Sequence, residues 1–433
     1  MEWQLILALF GSFAVLLTFG IPVSFAIGLS SLITIMMSLP LEPAIAVVAQ
    51  RMAAGLDNFA LLAIPFFILA GNIMNQGGIA IRLINFAKVL VGRLPGSLAH
   101  VNILANMMFG SISGSAVASA AAVGGTMAPL QKKEGYDEHF SAAVNIVSCP
   151  TGLLIPPSNT LIVFSLVSGG TSVAALFLAG YIPGIIMGVS LMVVAGFIAK
   201  KRGYPIAPRP SINEVIDTAV KAIPSLLLIA VIMGGIIGGI FTATEASAIA
   251  VVYTLILAVG FYKEVKIKDL PAIILESAIT TSIVLLLVGA SMGMSWAMAS
   301  ADIPYMIADA LLAISDNPLM ILLIINIILL IVGIFMDMTP AVLIFTPIFL
   351  PIVLDLGIDP VHFGIMMTFN LAIGICTPPV GSALFIGCSV AKVSIDKVIK
   401  PLLPFYAALT IALMAVTFIP ELSLFLPRLI LGY

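Results

Sequence analysis

Uncharged, largely apolar runs of about 20 residues recur along the whole chain and constrain its fold more than any other feature. An α-helix needs about 20 such residues to cross the hydrocarbon of a bilayer, whereas a barrel strand alternates polar and apolar residues over about 10 positions. The runs therefore predict an all-α polytopic membrane protein. Four of them cover residues 176–198, 223–240, 278–298 and 402–419.

Composition supports a membrane protein and excludes several other classes. Of the 433 residues 61% are hydrophobic and 9% are charged, against about 25% charged residues in soluble domains. A net charge of −2 provides no basic surface for nucleic acid, and the spacing of Cys149, Cys376 and Cys388 fits neither a metal site nor a disulfide framework. The stretch 5–40 is too long for one span and predicts two helices separated at Gly20-Ile21-Pro22.

The distribution of charge predicts the orientation of the loops. Lys and Arg fall in a few clusters, which indicate cytoplasmic loops because cytoplasmic segments carry an excess of basic residues. Between Lys268 and Lys392 there is no Lys or Arg, so we expect the loops of this region on the outer side of the membrane. The polar segment 200–225 divides the chain into halves. The aspartates that mark the outer loops are Asp302, Asp309, Asp316, Asp355 and Asp359.

The two halves contain related segments. Residues 134–165 match residues 356–387, with Pro156-Pro157 falling on Pro378-Pro379 and His139 on His362. Basic residues flank the first copy and aspartates flank the second, so the two copies are expected to enter the membrane from opposite sides. Such inverted-topology repeats are typical of secondary transporters.

Both proline pairs predict interruptions of membrane helices. Because proline lacks an N–H donor, the helices must unwind at 155–160 and 376–382, where protein, water or an ion must satisfy the freed carbonyls. The segments before them predict re-entrant hairpins with tips at 111–115 and 333–340. The two hairpin tips and the two unwound helices should therefore meet at the same depth in the membrane.

Other polar residues within apolar surroundings have competing interpretations. Asp337 must be paired, hydrated or ion-bound if it lies within the membrane, or else it is a loop acid near the outer interface. Glu245 fits an outer turn in which Thr242 or Thr244 caps the next helix. Solvated histidines are expected at loop edges, at His100, His139 and His362. Amphipathic segments 79–94 and 303–314 predict interfacial arms before the hairpins.

At these residues the chain resembles the large membrane subunit, DctM, of the tripartite ATP-independent periplasmic (TRAP) transporters. The resemblance covers nearly the whole chain. Its motifs are "LLAIPFFILAGNIM" (61–74), "GSISGSAVASAAAVG" (110–124), "PPSNTLIVFS" (156–165), "GGIFTATEASAIAVVY" (238–253), "MDMTPAVLIFTPIFLPI" (336–352) and "CTPPVGSALF" (376–385).

The resemblance implies a permease rather than an enzyme. It would import a carboxylate-bearing solute of the sialic acid or C4-dicarboxylate type by Na⁺ symport, with no cofactor other than Na⁺ as coupling ion. The implied partners are a small four-helix DctQ-type membrane subunit and a periplasmic binding protein, and the implied location is the bacterial inner membrane.

The same resemblance implies the elevator fold of the ion-transporter superfamily, in which a transport domain slides against a scaffold. The implied division is 1–100 scaffold and first arm, 101–170 transport repeat 1, 171–316 scaffold, cytoplasmic linker and second arm, 317–391 transport repeat 2, and 392–433 a C-terminal scaffold helix.

Candidate site residues follow from the resemblance and lie at the tips and breaks. The candidates for one sodium site are Ser111, Ser113, Gly114, Ser115 and Asn159. The candidates for the other are Gly333, Asp337, Thr339, Thr377, Gly381 and Ser382. The candidate solute contacts are Ser158, Thr160, Pro157 and Pro379.

Three other classes stay open from the sequence. A stand-alone dicarboxylate carrier or cation antiporter of the same superfamily would differ by not requiring a binding protein. An intramembrane protease would need a G-x-S-G motif or a second mid-membrane acid, and neither is present. A non-transporting scaffold would leave two unwound helices unexplained.

Overall fold

The computed structural model describes residues 2–315 and 317–433, and this part of the chain is helical with no β-strand. Met1 and Asp316, an expected outer-loop acid and domain boundary, lie outside the described residues. Among the described residues, eight helices are long and apolar enough to cross a membrane, and a bent pair would make a ninth span. The prediction of an all-α polytopic membrane protein is confirmed.

The helices have the following bounds. The first twelve are α1 (Glu2–Ile6), α2 (Ser12–Thr18), α3 (Val23–Met36), α4 (Leu41–Leu56), α5 (Ala63–Gln76), α6 (Ile79–Val91), α7 (Ser97–Ser113), α8 (Ala116–Lys133), α9 (Glu138–Ser148), α10 (Thr151–Leu154), α11 (Asn159–Val167) and α12 (Val173–Arg202). The rest are α13 (Ile212–Ile237), α14 (Ala243–Leu255), α15 (Leu270–Ser300), α16 (Ile303–Leu312), α17 (Pro318–Phe335), α18 (Met338–Asp355), α19 (Pro360–Gly374), α20 (Ser382–Ala391), α21 (Ile395–Phe418) and α22 (Glu421–Leu431). Leu7–Gly11 and Ile256–Phe261 are π-helical, and Phe59–Leu62 and Ile267–Asp269 are 3₁₀ turns.

Several local predictions are confirmed. The first two spans separate around Gly20, between α2 and α3. The segments expected as arms are helical, over α6 and α16, while their interfacial position stays a prediction. Glu245 caps α14 together with Thr242: the Thr242 hydroxyl accepts from the Glu245 N–H, and the Glu245 carboxylate accepts from the Thr242 N–H at 2.7 Å.

Each repeat contains a hairpin followed by a broken helix. Hairpin 1 is the α7–α8 pair, which turns at Gly114 with φ of +61°. Hairpin 2 is the α17–α18 pair, which turns at Met336 and Asp337. The first broken helix comprises α9, α10 and α11 and bends by 50° at the break before Asn159. The second comprises α19 and α20, separated by the segment that holds Pro378-Pro379.

A pair of glycines joins hairpin to broken helix in each repeat. In repeat 1 a Cβ on Gly152 would lie 2.2 Å from the Cα of Gly110. In repeat 2 a Cβ on Gly374 would lie 2.5 Å from the Cα of Gly333. No side chain fits at such distances, so both contacts require backbone against backbone. The two repeats thus share this packing as well as their proline pairs.

Contacts along α21 show that the two repeats run in opposite directions. Phe405, in the first half of α21, packs against Phe140 at the beginning of the first broken helix. Thr417, near the end of α21, accepts from His362 at the beginning of the second broken helix, 3.1 Å from its Nε2. The broken helices therefore start at opposite ends of the bundle, as an inverted repeat requires.

The helices pack into two groups. The hairpin group comprises α7–α12 and α17–α22, and the outer group comprises α1–α5 and α13–α15. The arm α6 packs against both α7 and α13, and α16 packs against α15 and α18. Helix α12 packs on α7, α10, α19, α21 and α22, within the hairpin group. The C-terminal region 392–433 forms two helices rather than the single helix expected.

Two of the three histidine expectations are wrong. His100 is 4% exposed and its Nε2 lies 3.1 Å from the carbonyl oxygen of Pro95. His362 is 1% exposed and contacts Ser423 and Thr417. The broken helices and the hairpins are covered by α12, α21 and α22, which buries side chains that a hydropathy pattern places at loop edges.

A candidate ion and solute site between the hairpin tips

The hairpin tips and both breaks surround one cavity of about 190 Å³. Both repeats contribute polar residues to its wall, as the inverted repeat predicts. The polar residues that line it are Ser115, Asn159, Thr160, Thr280, Asp337, Thr339 and Ser382. Asp337 is the one charged side chain among the described residues that line this cavity.

Four helices begin at the cavity wall. Ala116 and Asn159 are the first residues of α8 and α11, and Met338 and Ser382 are the first residues of α18 and α20. All four residues line the cavity. Because the N-terminal end of a helix carries a partial positive charge and free N–H groups, this arrangement makes the cavity suitable for an anion.

Two of the candidates for the second sodium site, Thr339 and Ser382, lie with Asp337 at the cavity. The Ser382 hydroxyl donates to the Asp337 carboxylate at 3.0 Å, which joins the tip of hairpin 2 to the second break. Thr339 lines the same cavity. The Thr377 hydroxyl instead donates to the carbonyl of Ile373 at 2.8 Å.

Two glycines among these candidates serve backbone packing. A Cβ on Gly381 would lie 2.4 Å from the carbonyl oxygen of Ile375 and 2.8 Å from that of Thr377, so the unwound segment folds back on itself there. Gly333 forms the close contact with Gly374. Their contribution to an ion site would therefore come from carbonyl oxygens that the glycines leave accessible.

The candidates for the first sodium site surround the tip of hairpin 1. A Cβ on Gly114 would lie 3.0 Å from Asn159 Nδ2, so the tip rests on the first break. The Ser115 hydroxyl accepts from the Ala118 N–H at 3.2 Å and caps α8. Ser111 and Ser113 are buried, and the Ser111 hydroxyl donates to the carbonyl of Met108 at 2.8 Å. The assignment of these residues as ligands stays a prediction.

Of the four candidate solute contacts, the cavity wall includes Thr160. Ser158 is fully buried, donates to the carbonyl of Leu153 at 2.5 Å and caps α11, so it stabilises the break instead. Pro157 is buried and Pro379 is exposed, and neither lines the cavity.

The opposite wall was not predicted as part of the site. Ile64 and Ile68 of α5 and Thr280 and Val284 of α15 line the cavity across from the hairpin tips. These residues belong to the outer group, and their segments are apolar spans without a local signal for a site. The cavity thus lies at the boundary between the two helix groups.

Two inverted hairpins and two broken helices that meet at one cavity, with polar residues from both repeats in its wall, define a secondary transporter of the inverted-repeat class. Residues 10–422 match the family described as "DctM: Tripartite ATP-independent periplasmic transporter, DctM component". The chain belongs to this family, the large permease component of TRAP transporters, and it is therefore a transporter subunit and not an enzyme.

Relatives cover nearly the whole length of the chain. It is 63% identical to the uncharacterized protein YgiK of Salmonella typhimurium, over 98% of this chain and 97% of that protein. It is 43% identical to the sialic acid TRAP transporter large permease protein SiaM of Vibrio cholerae, over 89% of this chain and 90% of that protein. It is 39% identical to the C4-dicarboxylate TRAP transporter large permease protein DctM of Pseudomonas aeruginosa, over 93% of this chain and 94% of that protein.

A solved structure shares the fold. The Alcanivorax borkumensis YdaH transporter, described as having an unusual topology, superposes with a TM-score of 0.64 at 12% identity, over 87% of this chain and 88% of that one.

Proposed function

We propose that this permease couples the entry of Na⁺ to the uptake of a carboxylate-bearing organic acid through the cavity between the hairpin tips. The observation that carries the proposal is the convergence of four helix N-termini and one aspartate on a single cavity. The N-termini suit an anion, and the aspartate suits a cation.

The anion is bound by helix ends and neutral side chains. No Lys or Arg is among the described residues that line the cavity, so a carboxylate has no cationic side chain to pair with. Free N–H groups at the starts of α8, α11 and α18, together with the Asn159 amide and the Thr160 hydroxyl, provide donors instead. At the start of α20 the Ala383 and Leu384 N–H groups already donate to the Ile375 carbonyl.

The cation is bound behind the tips, by carbonyl oxygens and Asp337. The last residues of α7 and α17 and the ends of α10 and α19 present carbonyl groups beside the glycine contacts of the two repeats. Na⁺ at Asp337 and Ser382 would cancel the charge that otherwise repels a carboxylate. Anion binding then requires prior cation binding, which is a physical basis for coupling.

Coupling to the membrane potential supplies the driving force. Inward movement of each net positive charge is worth about 2.3 kcal/mol at 100 mV. When more than one Na⁺ accompanies a monoanion, the cycle carries net positive charge inward.

The solute is of the sialic acid or C4-dicarboxylate type. The relatives in Vibrio cholerae and Pseudomonas aeruginosa are named for these solutes, and both are organic acids with carboxylates. We assign the chain a small DctQ-type membrane subunit and a periplasmic binding protein as partners, in the bacterial inner membrane, as the family's tripartite description supports.

The hairpin group is the part that moves, in an elevator motion against the outer group. The cavity lies at the boundary of the two groups, and α6 and α16 connect them as arms. Since α12, α21 and α22 pack within the hairpin group, we include them in the moving part, although the family resemblance implies that they belong to the scaffold.

Uptake by the reconstituted complex tests the proposal. The chain, its small subunit and its binding protein are placed in proteoliposomes with radiolabelled sialic acid or succinate outside. An inward Na⁺ gradient should drive accumulation, and replacing Na⁺ by K⁺ should abolish it. Accumulation without the binding protein would favour a stand-alone carrier, and accumulation in K⁺ would contradict sodium coupling.

A further inference from the structure

Three buried polar atoms behind hairpin 1 have no hydrogen-bond partner among the residues that the structure describes. They are Asn102 Nδ2 on α7, Gln131 Oε1 on α8 and Ser141 Oγ on α9. Asn102 and Gln131 are 1% exposed and Ser141 is 5% exposed. An unpaired polar atom inside a protein is destabilising, so three on adjoining helices require an explanation.

The three side chains line the same small internal cavity, of about 10 Å³. This is close to the least volume that holds one water molecule, which also needs two to four polar partners. The chemistry of the three atoms is complementary to water: the Asn102 N–H donates, the Gln131 carbonyl accepts, and the Ser141 hydroxyl does either. A bare cation fits less well, because the Asn102 N–H group faces it.

This small cavity adjoins a larger one, of about 510 Å³, at the basic end of the bundle. The two share Ala128 and Ser141, and both also border the end of α20 at Val390 and Ala391. Lys132 and Glu138 line the larger cavity and pair with each other at 2.6 Å. The excess of basic residues assigns this end to the cytoplasm.

On its other side the small cavity adjoins a buried amide network. Asn102 Oδ1, Asn145 Oδ1 and Ser148 Oγ all lie within 3.1 Å of Asn106 Nδ2. That nitrogen has two hydrogens for three acceptors, so one of these oxygens can accept from water instead. One helical turn further along α7 lies Gly110, where hairpin 1 meets Gly152 beside the candidate sodium site.

We propose that α7, α8 and α9 enclose a hydrated polar seam, made of Asn102, Gln131, Ser141, Asn145 and Ser148, which brings cytoplasmic water to the back of hairpin 1. Its ligand is water, held first between Asn102, Gln131 and Ser141. The seam has a second role, which rests on the proposed sodium coupling. It hydrates Na⁺ as the ion leaves the first sodium site for the cytoplasm.

Two neighbouring alanines on α9 provide a matched test of the seam. Ala142 is 1% exposed and lines the small cavity, whereas Ala143 is fully buried and lines neither cavity. Each is changed to cysteine in the full-length chain, with Cys149, Cys376 and Cys388 replaced by alanine. The probe is Ag⁺, a monovalent cation near the size of Na⁺, applied in nitrate buffer to the cytoplasmic face of inverted vesicles.

Modification is read from the loss of thiols that react with a maleimide after denaturation. Ala142→Cys should react at least about tenfold faster than Ala143→Cys, because thiol reactivity follows access to water. Equal rates would overturn the seam. If Ala142→Cys fails to reach the membrane, Gln131→Cys replaces it with the same two outcomes, because Gln131 is buried and lines the small cavity but not the larger one.

The sodium role has its own readout. In the seam, Ser148→Cys should also react with cytoplasmic Ag⁺ and the reaction should slow Na⁺-driven uptake; an unreactive Ser148→Cys would overturn the release route. These labelling results do not depend on sodium coupling. Reactive cysteines in a chain whose uptake ignores Na⁺ would therefore support the seam while refuting the proposed function.

Discussion

Asp337 carries the charge that matters most at the level of single residues. It lies at the tip of hairpin 2, is more than a third exposed, and accepts from Ser382 of the second break. In a cavity formed by helix N-termini, one carboxylate decides whether a cation or an anion is favoured. Under the proposed function, a cation paired with Asp337 would let the cavity accept an anion.

Removal of this charge should weaken sodium binding and lower the coupled uptake with it. Asp337→Asn keeps the shape of the side chain and a contact to Ser382 but loses the ionic attraction, so the Na⁺ concentration for half-maximal uptake should rise by about tenfold or more. Asp355→Asn, at the other end of α18, is the matched control and should behave like the unchanged chain. An unchanged sodium dependence of Asp337→Asn would remove this residue from the site.

The glycine contacts should be sensitive to a single methyl group. Gly152→Ala and Gly374→Ala would each place a Cβ within 2.5 Å of a facing backbone atom, so we expect a loss of roughly 1–3 kcal/mol of stability. Gly125→Ala, on α8 with nothing within 4 Å of the added Cβ, is the control and should be neutral. Thermal unfolding of the purified chain measures the difference, and equal melting temperatures would contradict the packing.

Sequence reasoning finds some residues of the site and misses others, for physical reasons. Asp337 stands out from the residues alone because a charged group in an apolar run requires a partner, whereas Ser382 is a candidate through the family resemblance. The sequence predicts Ser158 as a solute contact, although its hydroxyl satisfies the Leu153 carbonyl that the break frees. Hydropathy does not show whether a hydroxyl faces a cavity or its own backbone.

At the level of elements, the helix breaks and hairpin turns were predictable, whereas the hydrogen-bond networks between the helices were not. Proline pairs and glycines mark positions where a helix cannot continue, so the two hairpins and two broken helices follow from the sequence. The Asn106 network between α7, α8 and α9 depends on how three helices face each other. No local pattern specifies such a network.

Helix α5 should limit the motion of hairpin 1. A Cβ on Gly71 would lie 2.8 Å from the carbonyl oxygen of Ser113, so α5 of the outer group touches the backbone of the tip. Gly71→Ala should force the two apart and lower uptake per assembled complex by several fold. Gly28→Ala, whose added Cβ would lie 4.0 Å from its nearest neighbour, should transport normally. Equal uptake by both variants would mean that this contact plays no part in the motion.

The whole molecule should be oriented by its basic end. Lys132, Lys392, Lys201 and Lys400 border cavities at one end, whereas the second broken helix begins at the other end near Asp359. The positive-inside rule places the basic end in the cytoplasm. Orientation, unlike helix packing, follows from charge counts alone, and for that reason the amino-acid sequence suffices to predict that the two repeats are inverted.

Single cysteines test this orientation. In the cysteine-free chain in intact cells, Asp355→Cys should react with a membrane-impermeant maleimide, because we expect its loop outside. Lys392→Cys should react only after the cells are opened. Labelling of Lys392→Cys in intact cells would reverse the topology and refute the proposed orientation of the two repeats.

The most direct test of the whole account is the simultaneous measurement of radioactive sodium and labelled solute in proteoliposomes that hold the complete complex. Sodium should enter only when the binding protein presents its organic acid, and the acid should enter only with sodium, both fluxes falling together in Asp337→Asn. Entry of the acid at full rate with no accompanying sodium would contradict the claim that one cavity binds cation and anion interdependently.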